Sequence, residues 1–173
     1  GDDWKAYDKL VNEQKFEQAS KMVEDLLEKF KAANNTEQWV RALLRQVQMR
    51  TALHGYETTV RFLKEQPWPK DLLGHSVLNL YYAQTLSTYA HSYGWEIRKR
   101  EKVSSKGEVD LKAWTMEQIF EEAQKAFEEV WKHREQLGEH PILHDVVRPC
   151  TRHDKRDWEP IAVTHMGGPL MLP

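Results

Sequence analysis

Five of the eight histidines, His133, His140, His144, His153 and His165, fall after position 132, together with the single cysteine, Cys150, and several carboxylates. These residue types supply the nitrogen, sulfur and oxygen donors that hold zinc or another divalent transition metal. His140-x3-His144 and Cys150-x2-His153 are spaced to bring two donors together, and Glu129 lies one helical turn before His133 on the same face. A metal on His133, His140, His144, Cys150 and His153, with one position open, would activate water for attack on an ester or a phosphoester. Against this, Pro141 interrupts any helix through the first pair, and neither HExxH nor a paired CxxC is present. The competing reading needs no cofactor and makes these the surface histidines of an irregular arm.

The second chemical feature is cationic. Arg98, Lys99, Arg100, Lys102 and Lys106 make the stretch after Gly94 the most basic in the chain, and Ser104-Ser105-Lys106-Gly107 has the composition of an exposed loop. It reads as a partner-binding loop or as a solvated connection, with Trp95 and Trp114 pinning its two ends to the core. Other candidates are weaker. His75 and His91 sit in an apolar stretch and read as core or boundary histidines. Glu121, Glu122, Glu128 and Glu129 form the kind of acidic helix face that solvent covers. No glycine-rich phosphate loop and no nucleophile elbow occurs.

Composition narrows the class. The chain has 173 residues, 40% hydrophobic and 30% charged, with a formal net charge of -2. That is long enough for one domain with an appendage to bury a core without cross-links. The near-neutral charge argues against nucleic acid as an obligate ligand. One cysteine excludes an intrachain disulfide. No run approaches a membrane span, and no signal peptide precedes the opening Gly-Asp-Asp, which suits a processed or excised piece.

Periodicity predicts an all-α fold of about six helices. The stretch from Pro69 to Trp95 should be the central one: Leu72, Leu73, Val77, Leu80, Tyr81, Leu86 and Tyr89 recur at three- and four-residue intervals, and no charge occurs between Asp71 and Glu96. A helix uncharged over that length must be covered on most sides. Before it come a short helix over Asp3 to Leu10, a second over Lys15 to Ala33, and a third from an N-cap at Thr36 to His54-Gly55. A fourth, Glu57 to Glu65, is stopped by Pro67-Trp68-Pro69. After it, Thr115 and Gln118 form a capping-box pattern that opens the last helix, Met116 to Leu137. Helices joined by short connections describe an antiparallel αα-hairpin array, and Tyr7 through Asn34 has the large-and-small spacing of a tetratricopeptide-like repeat. The helical domain covers residues 1–140. From 141 to 173 prolines at 149, 160, 169 and 173 and a pair of glycines predict an irregular arm.

Three segments together carry a family resemblance: KLVNEQKFEQASKMVEDLLEKFKAANN, LGHSVLNLYYAQTLSTYAHSYGWEIRKRE and VDLKAWTMEQIFEEAQKAF. Over Trp4 to Pro141 the chain resembles the helical N-terminal region of bacterial alpha-2-macroglobulin-like proteins, most specifically over Trp95 to Thr115. The resemblance implies a periplasmic or secreted scaffold or docking segment, and it transfers no catalytic residue. The arm departs from the family, as a truncation or a slipped reading frame would produce. Two functions follow as expectations: a non-catalytic helical module binding a protein partner or neighbouring domain, or a metal-dependent hydrolase built from the last helix and the arm. The apolar end, Ile161 to Leu172, could also exchange between two copies in a homodimer.

Overall fold

The computed structural model describes residues 2–101 and 109–138. All regular structure among them is helical: α1 (Asp2–Asn12), α2 (Phe16–Ala32), α3 (Thr36–His54), α4 (Tyr56–Glu65), α5 (Leu72–Ser92), α6 (Gly94–Ile97), α7 (Met116–Lys132) and α8 (Arg134–Gly138). Among the described residues the expected all-α hairpin array is observed, with eight helices in place of about six. The arm, including the boundary at 140/141, lies outside the described residues.

The described residues divide into two compact units. The first holds residues 2–78 with 109–113, the second 79–101 with 114–138, and α5 contributes to both.

In the first unit, Ala19, Val23, Leu26 and Leu27 of α2 are buried, as are Val40, Leu43, Leu44 and Val47 of α3. Side-chain register fixes the helix directions. Asp3 of α1 meets Lys29 of α2 at 3.0 Å, and Trp4 stacks on Phe30 with centroids 6.2 Å apart. The start of α1 therefore faces the end of α2, and the two run antiparallel. Trp4 also donates its indole N–H to Gln38 Oε1 at 2.7 Å and lies under the Arg41 guanidinium, whereas Tyr7 lies under Arg45. Position numbers rise together along α1 and α3, so these two are parallel, as alternate members of a hairpin array must be.

Caps set the boundaries. Asn34 takes a left-handed φ of 50°, and the Asn35 side chain accepts from the Gln38 amide at 3.2 Å, so the N-cap of α3 is Asn35 and not Thr36. Asparagine is the stronger cap of the two, which explains the one-residue shift. Gln66, before Pro67, is extended, and Trp68 returns its indole N–H to the Leu63 carbonyl at 2.8 Å. Asp71 Oδ2 then accepts from the Gly74 amide at 2.8 Å and caps α5.

Within α5, Ser76, Asn79, Thr85 and Ser87 are buried along with Leu78, Leu80, Tyr82, Ala83, Leu86, Tyr89 and Ala90. The helix is covered on most of its circumference, and the Thr85 hydroxyl is satisfied within it by the Tyr81 carbonyl at 2.8 Å. In the second unit, Tyr82 donates to Glu122 of α7 at 3.0 Å, and His91 meets Phe120 edge to face at 6.3 Å between centroids. The capping box at Thr115 and Gln118 forms as the sequence predicts. The continuous helix expected over Met116 to Leu137 instead breaks at His133. There Arg134 donates to the Trp131 carbonyl at 3.1 Å and stacks over the Trp131 ring, satisfying the end of α7 from outside its own ladder.

Candidate functional site

Of the five expected metal ligands, His133 is described; His140, His144, Cys150 and His153 lie outside the described residues, as does His165. His133 is exposed at the C-terminal end of α7. The Glu129 carboxylate, its expected companion, is paired with Lys132. Among the described residues no group of three or more histidine, cysteine, aspartate or glutamate side chains is placed to hold a metal.

The acidic face of α7 is not uniformly solvated. Glu121 and Glu129 are exposed, but Glu122 is half-buried under the Tyr82 hydroxyl and within 3.8 Å of Lys125. Burial, reinforced by the Glu122 charge, holds the Tyr82 phenol well above its ordinary range. Such a phenol stays protonated and serves as a structural donor. His75 and His91 are both exposed. His75 meets Trp68 edge to face at 5.4 Å, and His91 Nδ1 lies 2.6 Å from the Ser87 carbonyl oxygen.

The cationic stretch separates into residues with different roles. Arg100 donates to the Trp114 carbonyl at 3.0 Å and to the Tyr89 hydroxyl at 3.2 Å. It ties the turn after α6 to the elements on either side. Arg98 and Lys99 are exposed. Lys102 and Lys106 lie outside the described residues.

Trp114 is buried as expected, at 7% exposure, but Trp95 does not pin the other end: it is 73% exposed. The reason is the single turn of α6. Gly94 and Ile97 face inward, and Met116 Cε would lie 3.4 Å from any Cβ at Gly94. With those two positions inside, Trp95, Glu96, Arg98 and Lys99 must face out. Lys99 Nζ sits 3.3 Å from the Trp95 ring centroid, and Tyr93, 43% exposed, packs against Tyr89 at 5.1 Å between centroids. Among the described residues Tyr93 and Trp95 are the exposed large hydrophobic side chains, and they share one turn.

This arrangement offers an exposed indole with the Lys99 ammonium over its ring, and with Tyr93 and Arg98 exposed on the same turn. It presents no nucleophile with an adjacent base. It can take up a partner surface that carries both apolar and acidic groups. Sequence reasoning missed the exposure of Trp95, although a signal was present: its neighbours four residues away are His91 and Lys99, so no apolar stripe passes through it.

The class defined by these features is an all-α antiparallel hairpin array with an aromatic and cationic surface turn. The chain matches no family model, no curated protein and no solved structure.

Proposed function

We propose that this chain is a non-catalytic helical scaffold that docks a protein partner or a neighbouring domain. We further propose that it is a segment of an alpha-2-macroglobulin-like protein acting in the periplasm or outside the cell. The observation that carries the docking reading is the exposure of Trp95 on a turn whose backbone is fixed by Ile97 and Arg100. An aromatic ring held rigidly in water gains more from being covered than from any contact it makes alone. The family assignment rests on the three quoted segments, and the periplasmic or secreted location follows from it. A second copy joined through Ile161 to Leu172 is one partner compatible with this reading.

The test pairs two measurements. A photo-crosslinking amino acid at position 95 of the full chain, in cells, should give a discrete adduct, and one at the exposed Lys21 of α2 should not. No adduct at 95 would sink the docking reading. Elemental analysis of the dialysed chain, with an esterase and phosphoesterase screen, covers the rival chemistry: near-stoichiometric zinc, manganese or iron with chelator-sensitive turnover would replace the scaffold with a metal-dependent hydrolase.

A further inference from the structure

Arg41 and Arg45 stand one helical turn apart on α3, and both are half-buried. Each guanidinium lies over an aromatic ring of α1, Arg41 at 4.7 Å from the Trp4 centroid and Arg45 at 5.6 Å from that of Tyr7. The platforms are fixed, because Trp4 and Tyr7 are themselves buried. Neither arginine has an ion pair or hydrogen-bond partner among the described residues, and Arg41 Nε is buried without one. Glu37, one turn before Arg41, and Asp8, beside Tyr7, are both exposed. Elsewhere in this unit the arrangement differs: Arg50, which lies over Phe62, has Glu24 at 3.6 Å, and Arg61 donates to the Val109 carbonyl.

Two cations drawn partly out of water, held over aromatic rings and without an ion-pair partner among the described residues, are preorganised for an anion. The aromatic ring covers one side of each guanidinium, and its terminal N–H donors are the route for a bidentate contact. Gln38 precedes them on the same face and, with its Oε1 committed to Trp4, keeps its amide NH2 as a further donor.

Spacing selects the ligand. Four residues of α-helix advance about 6 Å, and alternate side chains of an extended strand recur at roughly 6.7 Å. One carboxylate offers a single bidentate edge, so two guanidinium groups four residues apart call for two carboxylates. We propose that Arg41 and Arg45 form a binding site for an extended acidic peptide segment, with carboxylates at alternate positions each taken by one guanidinium. This site is on a different unit from the Trp95 turn and does not depend on it.

The experiment titrates the full chain with a fluorescently labelled peptide alternating glutamate and serine. The comparison peptide has the same composition with its glutamates in one block, and inorganic phosphate serves as competitor. The alternating peptide should bind more tightly than the block peptide and weaken as salt rises. Phosphate at equal concentration should fail to displace it. Arg41→Gln and Arg45→Gln should each weaken binding roughly tenfold, equivalent to about 1.4 kcal/mol, whereas Gln18→Ala, at an exposed position of α2, should leave it unchanged. Equal affinity for both peptides, displacement by phosphate, or an unaltered affinity in the Arg41→Gln/Arg45→Gln double variant would overturn the proposal. NMR of the unmodified chain gives a reading independent of variant folding: the Nε–H signals of Arg41 and Arg45 should shift as the alternating peptide is added, and two unmoved signals would also overturn it.

Discussion

Arg100 donates one guanidinium N–H to the carbonyl oxygen of Trp114 at 3.0 Å, while a second nitrogen reaches the Tyr89 hydroxyl at 3.2 Å. One side chain thus joins the residue before the α7 cap to the end of α5. Because a hydrogen bond from a charged donor is worth about 1.5–3 kcal/mol, Arg100→Ala should lower unfolding stability by an amount of that order. Arg98→Ala, on the same turn but exposed, should change it by less than about 0.5 kcal/mol. Urea denaturation of both variants checks this. Equal losses would mean that the Arg100 contacts carry no net stability.

The capping box of α7 gives a second quantitative expectation. Gln118 N donates to Thr115 Oγ1 at 3.3 Å, and the Thr115 amide donates to Gln118 Oε1 at 2.9 Å. Thr115→Ala should cost about 1 kcal/mol, and Thr115→Ser, which keeps the acceptor, should cost less. Thermal unfolding followed by circular dichroism distinguishes the two.

These two cases mark what was legible in the sequence. Capping and periodicity act over three or four residues, so Thr115 with Gln118, the α2 stripe and the double-proline stop after α4 could be read locally. The break at His133 could not, because no glycine or proline marks it. At the end of α7 the His133 amide bonds back to the Val130 carbonyl and Arg134 folds back on Trp131, contacts that no local residue pattern announces. The arginine site was hidden for a different reason. Arg41 and Arg45 interrupt an apolar helix, and sequence alone does not say that Trp4 and Tyr7 from α1 lie beneath them. That pairing depends on the parallel register of α1 and α3, a tertiary fact. Trp95 was misjudged through its type, since tryptophan is usually a core residue, and the inward positions of Gly94 and Ile97 decide otherwise.

Gly74 is a site of close approach. A Cβ there would lie 2.9 Å from Asp71 Oδ1 and 3.0 Å from Val40 Cγ2. Gly74→Ala should therefore displace the Asp71 cap and press α5 against α3, costing roughly 1–3 kcal/mol. The double variant Val40→Ala/Gly74→Ala relieves one of the two contacts. Its loss should be smaller than the sum of the single losses, a coupling that a double-mutant cycle in urea measures. Strict additivity would show that Val40 is not the obstacle.

Tyr7 supplies a pH dependence. Its hydroxyl is buried without a partner among the described residues, and desolvation, opposed by Arg45 and aided by Asp8, pushes its pKa up to about 12. In the unfolded chain the phenol ionises near 10. Between those values the unfolded state has released a proton that the folded state still holds. Stability is therefore intact below pH 10 and falls as pH rises toward 12, with a slope on the order of 1 kcal/mol per pH unit for this group. Tyr82, also raised by burial, adds a loss of the same sign. Tyr7→Phe keeps the ring under Arg45 and removes the ionisation. At pH 7 it should be neutral or slightly stabilising, because the hydroxyl it deletes makes no hydrogen bond among the described residues. Above pH 10 its stability should decline less steeply than that of the wild-type chain. Urea titrations at a series of pH values from 7 to 12 would show the two curves separating only in the alkaline range. Parallel curves would mean that the Tyr7 hydroxyl ionises in the folded state as readily as it does in water.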